Sequence, residues 1–115
     1  MKVTKKQFAE FKREFKRQAA RLGLQGCDVV FSFEPLEDSF ASCASDSEGA
    51  VATIALNSEV PEEHFQDLNV PQHAIHEALE LLLARIEVLA QSRNFNKYEW
   101  DCEKHRVIRT LEKLL

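Results

Sequence analysis

With 115 residues, 44% hydrophobic and 30% charged, and with three Gly and three Pro, the chain has the balance of one globular domain spanning 1–115 rather than that of a disordered segment. No apolar run approaches the roughly 20 residues needed to cross a bilayer, and the basic N-terminus leads into no signal-type apolar block, so the expectation is a cytoplasmic protein without membrane contact. The net charge of −4 hides an asymmetry: residues 1 to 22 hold eight of the 15 Lys and Arg against two acids, a local +6, which leaves −10 on the other 93 residues.

The first element is the basic one. In TKKQFAEFKREFKRQAARLGL, Phe8, Phe11, Phe15, Ala19 and Leu22 recur at three- and four-residue spacings, which predicts an amphipathic helix capped by Thr4 and stopped at Gly23. Its Lys and Arg occupy several faces. Once the Phe stripe is packed, no aromatic is left for base stacking, so a solvated basic face is favoured over nucleic-acid or membrane binding.

Three β-prone stretches follow, DVVFSFEPL, SFASCASD and GAVATIALN, separated by the turn-forming PLEDS and SDSEG. Connections this short predict an antiparallel three-stranded meander whose last strand, 49–57, lies at an edge where an extended peptide or protein segment could pair. The acidic EEHFQD predicts a connector with one short helical turn, with His64 on its surface. Pro71 marks the start of a helix over about 72–92, and after SRNFN a last helix runs over about 97–114 with Trp100, Val107, Ile108, Leu111 and Leu115 on its apolar side. The order is α-β-β-β-α-α, an α+β fold with a small antiparallel sheet covered by helices.

The 72–92 helix carries the chemistry. Ile75, Ala78, Leu79, Leu82, Leu83, Ile86, Leu89 and Ala90 cover an arc of about 140°, expected to be core. Opposite them, His73, His76, Glu77, Glu80 and Glu87 form a polar stripe interrupted by Ala74, Leu81, Ala84 and Val88. A central helix covered on several sides needs partners for such groups, and a metal ion is one. His76 and Glu80 stand four apart, so their side chains converge one turn above the other, with Glu77 placed to hold a metal-bound water. This is the layout of HExxH zinc helices with Glu80 in the place of the second His, and a carboxylate is an acceptable zinc ligand.

A third donor is available in WDCEKHRVIRTLEKLL. Two antiparallel helices joined near 93–96 place Glu80 and His105 each about 20 Å from the loop, which sets His105 opposite the middle of the motif helix, with Asp101 four residues before it to orient the ring. The competing reading is a metal-free helix with solvated polar groups. His73, three before His76, is either a surrogate ligand or a solvated N-terminal His. Cys27, Cys43 and Cys102, odd in number and far apart, are expected to be reduced thiols.

EGAVATIALN at 48 to 57, HEALELLL at 76 to 83, LAQSR at 89 to 93 and KHRVIRTLEKLL at 104 to 115, with weaker similarity through FKREFKRQAARLGL, resemble small zincin-like proteins of phages and prophages. The resemblance implies a zincin-like, metallopeptidase-like domain in a host-cell cytoplasm. In it His76, Glu80 and His105 would bind Zn²⁺, and Glu77 would be the catalytic base of a peptide or amide hydrolase. Glu80 departs from the pattern at the second ligand, which leaves two function classes: a weak or degenerate hydrolase, or an inactive protein-binding module built on the same fold. Oligomeric state is not legible at this stage.

Overall fold

The computed structural model describes residues 1–46, 50–91 and 96–115. Helix α1 (Lys5–Arg21) begins at the expected cap: Thr4 Oγ1 accepts the Gln7 N–H at 3.1 Å, and Gln7 Oε1 accepts the Thr4 N–H at 2.8 Å. It ends at Gly23, whose φ of +73° turns the Gly23 and Leu24 N–H groups back onto the carbonyls of Ala20 and Ala19. Strands β1 (Asp28–Glu34), β2 (Ala41–Ser45) and β3 (Val51–Asn57) form one sheet. A 3-10 segment (Glu62–Asp67) leads to α2 (Val70–Gln91), and α3 (Lys97–Leu114) closes the chain. Element order and helix limits follow the sequence closely. The turns expected at SDSEG and SRNFN fall largely on residues 47–49 and 92–95, outside the described residues.

The sheet corrects the meander. Its order is β1-β3-β2, with β1 parallel to β3 (Phe31 opposite Ile54) and β2 antiparallel to β3 (Cys43 opposite Ile54). The β2–β3 hairpin is as expected, but β1 and β2 do not pair, because β3 inserts between them. Composition gives the reason. Ala52, Ile54, Ala55, Leu56 and Asn57 are all buried, which suits a central strand covered from both edges. The expected edge strand at 49–57 is therefore the centre of the sheet, Gly49 lying outside the described residues, and its backbone is not available for peptide pairing. The edges are β1 and β2.

Because β3 is central, residues 35–40 must cross its end. Asn57, 3% exposed, makes the crossing possible. Its Oδ1 accepts the N–H groups of Leu36 and Glu59, both at 3.0 Å, and its Nδ2 donates to the carbonyls of Leu36 (3.0 Å) and Ser39 (2.9 Å). Those loop groups lack sheet partners, and this one amide satisfies them. Residues 1–3 run beside 58–60, with Val3 N–H donating to Ser58 O and Val60 N–H to Met1 O, both 2.9 Å.

Val29, Phe31 and Phe33 share a sheet face with Ala52, Ile54, Leu56, Ala41 and Cys43, and α1 and α2 lie on that face. Phe8 stacks on Phe33 at 4.7 Å, Phe15 meets Phe31 edge-on at 5.6 Å, and the ammonium groups of Lys12 and Lys16 sit over Phe8 and Phe31. The basic helix thus spends part of its charge on its own aromatic seam. Among the described residues no helix is long and apolar enough to cross a membrane.

Asn57→Ala removes four hydrogen bonds and leaves partly buried backbone groups unpaired, so it should cost about 2–4 kcal/mol in urea unfolding, well above the effect of an exposed-site change such as Glu59→Ala.

Candidate functional site

The buried side of α2 is not the expected arc. Val70, Ala74, Glu77, Ala78, Leu81, Leu82 and Ala84 are buried, whereas Leu79 and Leu83 are 41% and 46% exposed. Ala74 and Ala78, both fully covered, are small enough for the Phe-lined helix α1 to approach closely, and that approach turns α2 toward its alanines and away from two of its leucines. The rotation carries Glu77 inward and sets the polar flank of α2 against β2.

Along this seam the His73 ring stacks on Phe40, with centroids 4.6 Å apart and planes 19° from parallel. Its Nε2 is buried without a hydrogen-bond partner among the described residues. Burial, reinforced by His76, lowers its pKa, so His73 stays neutral. It is half-buried, and its ring packs against an aromatic neighbour.

One turn on, His76 Nε2 lies 3.4 Å from Glu80 Oε1, both side chains at least half exposed. The i, i+4 convergence read from the sequence is present. Glu77 between them is 6% exposed, and burial raises its carboxyl pKa, with His76 opposing the rise and Glu80 adding to it. Across the seam, Cys43 has its thiol pushed up to about 11 by burial first and then by Glu77, Glu80 and Glu87. It is therefore a neutral thiol and not a nucleophile. No disulfide joins it to Cys27 or Cys102.

His105 stands elsewhere. It is exposed on α3, and its Nδ1 lies 2.7 Å from the Asp101 carbonyl, so the backbone of Asp101, not its carboxylate, orients the ring. The cause is an ion pair that pattern reading overlooked. Glu103, 9% exposed, accepts from Arg106 Nε at 2.7 Å and lies 3.4 Å from Arg85 Nε, while Arg106 Nη2 donates to the Leu82 carbonyl at 2.9 Å. These bonds turn Glu103 inward, and His105, two residues later and about 200° round the helix, outward. The i, i+3 spacing of Glu103 and Arg106 was the available signal. Among the described residues no three His, Cys, Asp or Glu side chains stand where they could hold one ion. A catalytic zinc needs three protein donors, and among the described residues His76 and Glu80 are the two that stand together.

His64 is exposed on the 3-10 segment, 3.9 Å from Glu63, as expected of a surface residue. It helps line an acidic cleft of about 440 Å³ with Glu37, Asp38, Glu63 and Asp67, which adjoins the seam at Phe40. Comparison with protein-family models, curated proteins and solved structures returned no match.

Because the folded state raises the Glu77 pKa, its protonated form is the one the fold favours. Stability from this group is complete below the unfolded value of 4.5 and is lost as pH rises through the higher folded value. Glu77→Gln should therefore raise the Tm at pH 7, and the gain should shrink as the pH is lowered toward 4; a Tm difference independent of pH refutes the assignment.

Proposed function

We propose that the chain is a zincin-like domain, akin to the phage and prophage proteins it resembles, whose metallopeptidase centre is degenerate. On this reading His76 and Glu80 retain a two-donor grip on Zn²⁺, hydrolysis of peptides is weak or lost, and the working role in the host-cell cytoplasm is that of a protein-binding module. The observation that carries it is the 3.4 Å approach of His76 to Glu80 above a buried Glu77, with His105 turned away on α3. The α-β-β-β-α-α order is the one the resemblance implies, whereas the central place of β3 is not. Two protein donors bind zinc far less tightly than three or four, and a carboxylate in place of an imidazole lowers the charge of the centre, which makes a bound water less acidic.

Glu77 is 6% exposed beneath the His76–Glu80 pair, and burial raises its carboxyl pKa, so the group is a stronger proton acceptor than a solvated carboxylate but is largely covered. Nucleic-acid binding through α1 is disfavoured, because Lys12 and Lys16 lie over Phe rings of the domain's own surface.

Zinc titration by calorimetry is the test. The wild type should bind, and His76→Ala and Glu80→Ala should each weaken binding by on the order of tenfold, a loss of about 1.4 kcal/mol. Against unfolded casein-type substrates, cleavage should not exceed that of Glu77→Gln. Zinc binding that survives the double variant His76→Ala/Glu80→Ala, or rapid Glu77-dependent proteolysis, overturns the proposal.

A further inference from the structure

The strand order leaves β1 as a free edge. Asp28 N–H donates to Ala50 O at 2.7 Å and Glu34 O accepts the Ser58 N–H at 3.1 Å, so the even-numbered residues of β1 turn their backbone groups toward β3. The N–H and C=O groups of Val29, Phe31 and Phe33 point the other way, to a side where no strand pairs among the described residues. Burial agrees. Val29, Phe31 and Phe33 are only half-buried although they face the helices, whereas Ala52, Ile54 and Leu56 beside them on β3 are covered. The strand also lacks the features that blunt an edge: DVVFSFE holds no Pro and no Lys, and none of its residues has a positive φ.

Cations overhang this edge. Lys16 Nζ lies 5.6 Å from the centre of the Phe31 ring, and Lys12 Nζ lies 4.6 Å from that of Phe8, which itself stacks on Phe33. Ile54, the β3 partner of Phe31, is fully buried, so the exposed Lys16 stands on the outer side of β1. Counting round α1 from Phe8, Lys5, Lys12 and Lys16 fall within about 40–80° and form one flank. Among the described residues none of the three is in an ion pair. On the sheet face that α1 and α2 leave open, the same edge is apolar: Val30 and Val51 are 58% and 47% exposed.

We propose that the outer edge of β1 takes up an extended peptide in which Asp or Glu alternates with apolar residues, adding it to the sheet as an antiparallel strand. This site would supply the protein-binding role proposed above, on which it rests, and it uses neither His76 nor Glu80. Peptide residues opposite Val29, Phe31 and Phe33 exchange both backbone hydrogen bonds with them and lie on the helix-covered face. Successive ones are about 6.8 Å apart, and Lys12 and Lys16 are about 6 Å apart along α1, so alternate carboxylates meet consecutive ammonium groups. The residues between them lie on the open face beside Val30. Charge selects this occupant. A second copy paired edge to edge would set acid against acid at both ends, Asp28 against Glu34, and would bring two basic helices together. A nucleic-acid strand would meet the Lys flank but offers no backbone ladder to match the free groups of β1.

Fluorescence anisotropy with the labelled peptide SEVEVEVES, together with amide hydrogen exchange of the complex by NMR, tests this. The peptide should bind, and the Val29, Phe31 and Phe33 amides, fast-exchanging in the free protein, should become protected, while those of Val30 and Ser32, already bonded to β3, change little. The double variant Lys12→Gln/Lys16→Gln should weaken binding on the order of tenfold. N-methylation of the peptide's glutamate amides, which face β1, should abolish binding, and N-methylation of its valine amides should not. Equal binding of the reordered peptide SEEEEVVVS, or no new protection at Val29, Phe31 and Phe33, overturns strand addition. Tighter binding of a single-stranded oligonucleotide than of the peptide overturns the choice of partner. A chain that binds zinc through His76 and Glu80 but does not bind the peptide overturns the edge site alone. Peptide binding by a chain that takes up no zinc supports the edge site and leaves only the metal reading overturned.

Discussion

The central placement of β3 depends on a single buried amide. A loop of six residues that passes over the end of a strand has partly buried backbone groups without sheet partners, and Asn57 meets both sides of that need with one acceptor and one donor group. Everything on the far side of the crossing is positioned by it. Phe40, at the end of the loop, lies under His73, and Cys43, three residues into the next strand, lies against the Glu77 flank of α2. The polar seam of the motif helix is thus set by a residue some distance from any chemistry.

The seam itself shows what burial does to a motif. His76 and Glu80 keep the i, i+4 geometry that helix periodicity dictates, because that relation is internal to the helix and no tertiary contact can undo it. Glu77 is different. Its role depends on which side of the helix is covered, and coverage is decided by α1 and the sheet. A carboxylate drawn under the helix beside a thiol that burial holds neutral is favoured in its protonated form.

Local signals were therefore legible in the sequence, and relations between elements were less so. Thr4, Gly23 and Pro71 mark helix ends through backbone chemistry that acts within a few residues, and the limits of α1 and the start of α2 follow from them. The strands were recognisable from their β-branched and aromatic content. Their pairing was not, because a short β1–β2 connection reads as a hairpin unless Asn57 is seen as the group that lets it cross a third strand. The α2 arc was misplaced by about one residue's rotation. Counting large apolar residues ignores that two alanines admit a phenylalanine-lined helix more closely than leucines do.

The third donor shows the same division at the level of the site. Helix rise alone puts His105 at the right height, and the observed pairings alter that height by only three residues. Rotation about the α3 axis was the undetermined quantity, and a buried carboxylate held between Arg85 and Arg106 settles it. Removing one partner of such a group leaves a charge stranded in a poorly solvated place, so rotating α3 to bring His105 inward would have to break the Glu103 contacts first. The ion pair that closes the inner side of the hairpin is accordingly the feature that leaves His105 exposed on α3, with its Nδ1 on the Asp101 carbonyl.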